Sequence, residues 1–129
     1  MVEITVRDSV IHVEMLGWSK LFTLRGSLDI PAHCVTSAAA GEPGLPPFRW
    51  NDLRLGGTGV PGLIAAGAYY MGRPRRWVFV DLRRSSKNVL VLELEGYSYK
   101  TLMVEVADVP QALRLVEAAM ETAGAHPAR

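Results

Sequence analysis

Apolar residues alternate with polar ones in several short runs of this chain, and that period of two is the feature that most restricts its fold. The first run is VEITVR at residues 2–7 and the second is IHVEM at residues 11–15, with Asp8 and Ser9 in the gap between them. Successive side chains of a strand point to opposite faces, so each run predicts a strand with one apolar and one polar face. The short gap predicts a β-hairpin.

Extended character continues beyond the hairpin. Residues 27–40 predict an extended segment, in which Pro31 removes a backbone donor and so favours an edge or a bend. Four further strands are predicted at Leu63–Met71, Arg76–Leu82, Val89–Glu95 and Thr101–Ala107. The connections between these four are short, which favours antiparallel hairpins.

Three other segments have a different pattern. Apolar residues at helical spacing over residues 18–25 predict a short helix before Gly26. Residues 41–62 contain four prolines and six glycines and predict a long irregular connection. The last segment predicts the clearest helix, over residues 109–123, with Asp108 as its N-cap and Gly124 as its end.

That C-terminal helix is predicted to be amphipathic. Its apolar stripe consists of Val109, Leu113, Val116, Met120 and Ala123. The opposite face carries charged residues, so the stripe must pack against the predicted strands. A chain of 129 residues with 49% hydrophobic residues is long enough to bury such a core in one domain. We therefore expect a single mainly β (α+β) domain over residues 1–124, followed by a short tail at 125–129.

Seven strand-like segments followed by one helix resemble the pleckstrin-homology-like fold, an open barrel of about seven antiparallel strands with a C-terminal helix. The chain also resembles a group of small bacterial proteins of uncharacterised function that have this fold. The resembling stretches are Gly17–Leu21, Leu28–Pro31 with Val35, Gly57–Gly67 and Val104–Asp108. The resemblance covers nearly the whole chain and implies no established activity.

Charge is nearly balanced overall, at +1, but it is unevenly distributed. Residues 49–87 have a net charge of +6, whereas 1–48 and 88–129 have −2 and −3. The small total gives no general attraction to nucleic acid or to anionic membranes. Phosphoinositide-binding members of the pleckstrin-homology class carry basic residues around the first hairpin, where this chain has Asp8, so inositol-lipid binding is not expected.

The predicted location is the cytoplasm. The N-terminus is charged and alternating, without a signal-peptide pattern, and no apolar run approaches the roughly 20 residues that span a bilayer. A single cysteine, Cys34, requires no oxidising compartment. We therefore expect no transmembrane segment.

The most distinctive local motif is the glycine-rich stretch at residues 56–62. Consecutive glycines let backbone N–H groups converge on an anion, although the same glycines also suit a loop that needs positive φ angles. It matches neither a phosphate-binding P-loop nor a dinucleotide-binding motif. The candidate ligand-binding set is Arg49, Arg54, Gly57, Thr58 and Gly59.

Other candidates have simpler explanations. The basic cluster of Arg73, Arg75, Arg76, Arg83, Arg84 and Lys87 occupies both ends of one predicted strand, which favours solvated hairpin ends. His33 and Cys34 are adjacent and would point to opposite faces of a strand, with His12 and Asp29 as possible helpers in catalysis. Cys34 is interpreted as a small buried hydrophobe. Most aromatic residues fall on alternating apolar positions, which favours core packing over stacking on bases.

Taken together, the sequence predicts a binding or oligomerisation module without catalytic, metal or cofactor residues, which associates with itself or with a protein partner. The first alternative is a barrel that binds a small ligand or anion through the glycine-rich loop. An enzyme of unknown class is the third interpretation.

Overall fold

A computed structural model describes residues 1–16, 26–42, 53–55, 59–60, 64–71, 76–83 and 86–125, which form two β-sheets and one long helix. The strands are β1 (Val2–Arg7), β2 (Val10–Met15), β3 (Ser27–Pro31), β4 (Val35–Ala40), β5 (Leu53–Leu55), β6 (Gly59–Val60), β7 (Ile64–Met71), β8 (Arg76–Arg83), β9 (Val89–Leu94) and β10 (Thr101–Glu105). Helix α1 spans Val109–Ala125, and a short 3-10 helix at Ala32–Cys34 joins β3 to β4. The mainly β composition with a C-terminal helix is as predicted. The short helix predicted at residues 18–25 lies outside the described residues.

The first sheet is antiparallel with strand order β1-β2-β3. Asp8 and Ser9, with φ angles of 53° and 61°, form the two-residue turn between β1 and β2. Positive φ at both turn positions gives the backbone twist that suits a hairpin, so the predicted hairpin is confirmed. Pro31 ends β3 at the edge of this sheet, and the chain then bends into the 3-10 helix.

The second sheet has strand order β4-β9-β10-β8-β7-β5, and β6 also pairs with β7. Strand β10 lies between β8 and β9, parallel to β8 and antiparallel to β9. The prediction that β8 and β9 form a hairpin is therefore wrong. Strands two positions apart are separated by about 10 Å, a gap that the connection from Arg83 to Val89 spans easily.

Two further differences from the sequence prediction concern strand number. Strands β5 and β6 lie within residues 41–62, which were predicted to be irregular, because runs of three and two residues are too short to show a period. The predicted extended segment at 27–40 is divided into β3 and β4 by the 3-10 helix. The described strands form two open sheets and no closed barrel.

The main core lies between the two sheets and α1. Phe79, Leu92 and Leu102 on one face of the larger sheet join Ile11 and Val13 of the first sheet in this cluster. A second apolar cluster covers the opposite face of the larger sheet, and its buried members are Tyr69, Val78, Val80, Leu82 and Val89. The larger sheet is therefore apolar on both faces.

Helix α1 packs its predicted apolar stripe against the main core. Val116 is fully buried, and the smaller Ala112 and Ala119 beside it are buried as well. The other predicted members of the stripe are partly buried. The backbone N–H of Gln111 donates to Asp108 Oδ1 at 3.1 Å, so the predicted N-cap is confirmed. The helix continues through Gly124 to Ala125, the last described residue, so the predicted end at Gly124 is wrong.

Candidate interaction surface

Only part of the predicted anion site can be placed. Arg49, Gly57 and Thr58 lie outside the described residues. Arg54 is in β5 opposite Tyr69, and Gly59 is in β6 opposite Ala65. Both partners belong to β7 and are four residues apart, which corresponds to about 13 Å along a strand. The anion site stays a prediction.

The described members of the basic cluster do not form one patch. Arg76 begins β8 and Arg83 ends it, so about 23 Å of strand separates them, as the sequence indicated. Arg76 Nε donates to the hydroxyl of Thr101 at 3.0 Å, and that hydroxyl donates to the Glu93 carboxylate at 3.1 Å. Arg76 thus belongs to a structural network across three strands. Arg73, Arg75 and Arg84 lie outside the described residues.

His33 and Cys34 do not share a site. They lie in the 3-10 helix rather than on a strand, but His33 is exposed whereas Cys34 is buried in the main core. The Cys34 thiol lies 3.8 Å from the Gly96 carbonyl oxygen, which it faces as a weak donor. The interpretation of Cys34 as a buried hydrophobe is confirmed.

His12 and Asp29 instead pair with each other on the solvent face of the first sheet. They are opposite one another in β2 and β3, with His12 Nδ1 2.6 Å from Asp29 Oδ1. His12 Nε2 also lies 3.3 Å from Glu14 Oε1. Hydrogen bonds to Asp29 and then Glu14 raise the pKa of His12 above its usual 6.5, because the imidazolium can donate to both carboxylates. Within the described part of the chain, no three or more His, Cys, Asp or Glu side chains are arranged so that they could hold a metal ion.

An apolar groove lies between β1 and α1. The large hydrophobic side chains that are exposed in the described residues are Met1, Leu16 and Leu115, at 37%, 40% and 37%. All three line this groove, which has a volume of about 190 Å³. A second concavity of about 330 Å³ lies further along β1 and α1 and shares Leu115. We refer to the two together as the β1–α1 groove.

Strand β1 contributes an edge to this groove. The Leu16 N–H donates to the Met1 carbonyl oxygen at 3.0 Å, so these opposite residues form a hydrogen-bonded pair. Such pairs alternate along an antiparallel ladder, and therefore Glu3, Thr5 and Arg7 also direct their N–H and C=O groups toward β2. The corresponding groups of Val2, Ile4 and Val6 point away from β2, toward the edge.

Among the described residues, most of that edge has no strand paired with it. Val2 forms an isolated parallel bridge with Val106, and β1 is the terminal strand of its sheet. Among the described strands, none pairs with β1 at Ile4 or Val6 on this side. An edge of this kind presents backbone donors and acceptors that another strand can use.

Charged side chains border the edge at each end. Glu3 and Arg7 are both exposed on the solvent face of β1. Glu3 lies opposite Glu14 in the hairpin, an arrangement of like charges that is unfavourable in a sheet. Neither Glu3 nor Arg7 has an ion-pair partner among the described residues.

The groove was not predicted from the sequence, although two residues indicate it. Leu115 is a large apolar residue that lies off the predicted stripe of α1. Leu16 follows Met15 directly and so breaks the alternation of β2. In the structure both of these side chains are exposed and line the groove.

Comparison with models of protein families, with curated proteins and with solved structures finds no match. In the described residues, no helix combines the length and apolar character needed to cross a membrane.

Proposed function

We propose that this protein is a non-catalytic binding or oligomerisation module, and that the β1–α1 groove is its interaction surface. The observation that carries the proposal is the convergence of Met1, Leu16 and Leu115 on one groove. Exposed apolar patches commonly mark protein interaction sites, and the adjacent strand edge adds backbone hydrogen-bonding groups. The burial of Cys34 keeps the candidate nucleophile away from solvent, which favours binding over catalysis at this residue.

The pleckstrin-homology-like barrel and membership of the resembling bacterial group also stay predictions. The two open sheets with a C-terminal helix packed on their common core support the barrel. The parallel pairing of β8 with β10 departs from the antiparallel order that the resemblance implies.

Methyl NMR tests the proposed function. We expect the methyl signals of Ile4, Leu16 and Leu115 to shift either with protein concentration, up to about 1 mM, or with short peptides of alternating apolar residues. Leu115→Asp should remove the shifts. Arg114→Asp is the matched control, because Arg114 is exposed on the same helix and does not line the groove.

The proposed function is wrong if the groove methyls respond to neither titration. It is also wrong if the Arg114→Asp control loses the response as completely as Leu115→Asp does.

A further inference from the structure

We infer that the β1–α1 groove binds a second copy of this chain, through antiparallel pairing of β1 with β1 of that copy. The two-fold axis passes next to Thr5. This inference rests on the proposed function and adds the identity of the partner and the register of the contact.

Backbone geometry restricts the possible registers. Only Val2, Ile4 and Val6 direct their N–H and C=O groups outward, and Val2 is bridged to Val106. A symmetric antiparallel pair must therefore place at least one of Ile4 and Val6 opposite one of the same two residues in the second copy. Three arrangements do so: Ile4 opposite Ile4, Ile4 opposite Val6, or Val6 opposite Val6.

Charge then selects among the three. With Ile4 opposite Val6, Glu3 of each copy lies opposite Arg7 of the other, and Thr5 lies opposite Thr5. These are non-hydrogen-bonded pairs, in which facing side chains are closest. The dimer then gains two opposite-charge pairs, related by the two-fold axis.

The other two registers lack this complementarity. With Ile4 opposite Ile4, Glu3 lies opposite Thr5 and Arg7 opposite Met1. With Val6 opposite Val6, Arg7 lies opposite Thr5. The strand is therefore self-complementary in charge in one register only.

The same symmetry accounts for the exposed apolar residues. A two-fold axis perpendicular to the sheet keeps both copies of α1 on one face of a joined six-stranded sheet. The side of α1 that lines the groove carries Leu115, Ala118 and Thr122, close to Val6 of β1. In the proposed dimer this side lies near the axis in both copies. The two grooves thereby form one shared apolar contact. Pairing of the two β1 edges also gives the outward N–H and C=O groups of Ile4 and Val6 hydrogen-bond partners.

Charge reversal tests the register. We expect light scattering of the intact protein to show a concentration-dependent dimer of twice 14.1 kDa. Glu3→Arg and Arg7→Glu should each weaken dimerisation by about tenfold, because both ion pairs become repulsive. The double variant restores opposite charges and should regain most of the affinity, which a loss of folding would not allow. Raising the salt concentration should weaken the wild-type dimer.

A cysteine at the axis provides a second, independent test. In a Cys34→Ser background, Thr5→Cys should form a disulfide-linked dimer in a glutathione redox buffer, because the two residues face each other across the axis. In either other register the two cysteines are diagonal, at about 7–8 Å, which is too far for a disulfide. Thr36→Cys is the control, since Thr36 is exposed on β4, at the edge of the other sheet.

The outcomes separate this inference from the proposed function. A protein that remains at 14.1 kDa to about 1 mM overturns the inference, whereas peptide-induced shifts of the groove methyls would still support a binding module. The inference is also overturned if neither charge reversal weakens the dimer. It is overturned as well if Thr36→Cys cross-links and Thr5→Cys does not, because self-association then uses another surface.

Discussion

Truncation of two apolar residues of α1 tests how this helix is seated on the core. Val116 is fully buried in the core and has no solvent-accessible surface, whereas Met120, one turn further along, is only partly buried. Val116→Ala removes two buried carbon atoms, worth about 1.6 kcal/mol of transfer free energy, and leaves a small cavity. We expect its total cost to be about 2–3 kcal/mol.

Met120→Ala removes more atoms but should cost less. Because part of the Met120 side chain is already in water, we expect a loss of about 1–2 kcal/mol in the free energy of unfolding. A ranking by side-chain size alone would give the opposite order. The structure therefore predicts that the smaller truncation is the more destabilising one.

Urea denaturation followed by circular dichroism measures both losses. With a slope of about 1–3 kcal/mol per molar urea, Val116→Ala should lower the midpoint by about 1 M or more. Glu117→Ala is the control, because Glu117 is exposed on the same helix and its loss should change stability by less than about 0.5 kcal/mol. If Met120→Ala proves more destabilising than Val116→Ala, the orientation described for α1 is incorrect.

Three further predictions concern other parts of the molecule. The raised pKa of His12 means that its contribution to stability is complete at low pH and is lost as pH rises through the folded-state pKa. The stability difference between the wild type and His12→Gln, measured by urea denaturation, should therefore shrink as pH rises above about 6.5, the usual pKa of histidine, and an unchanged difference would contradict the pairing with Asp29. Asp108→Ala should cost about 1 kcal/mol of unfolding free energy by removing the N-cap, whereas Asp108→Asn, which keeps an acceptor, should cost less; equal losses in thermal denaturation would argue against the cap. If the glycine-rich loop binds anions, phosphate or sulfate below about 10 mM should shift the NMR amide signals of residues 57–62, and Arg54→Ala should abolish the shifts. Amide signals that do not shift would mean that the loop has a structural role only.

Local features of the chain followed from the sequence because their causes are local. Alternation over VEITVR and IHVEM, with a two-residue turn between them, was enough to predict the β1–β2 hairpin and its buried face. Asp108 and the stripe around Val116 were enough to predict the start of α1 and the side that it buries. In each case the residues that determine the geometry are within a few positions of one another.

The candidate surface depended on contacts between residues distant in sequence. Nothing in the alternation of β8, β9 and β10 shows that β10 lies between the other two, because each strand buries its apolar residues in either order. Met1, Leu16 and Leu115 are separated by up to 114 positions, and only the packing of α1 beside β1 brings them into one groove. The sequence determined which elements form and which faces they bury. The order of the strands and the exposed edge of β1 were decided by tertiary packing, because pairing and burial are properties of the whole core rather than of any one segment.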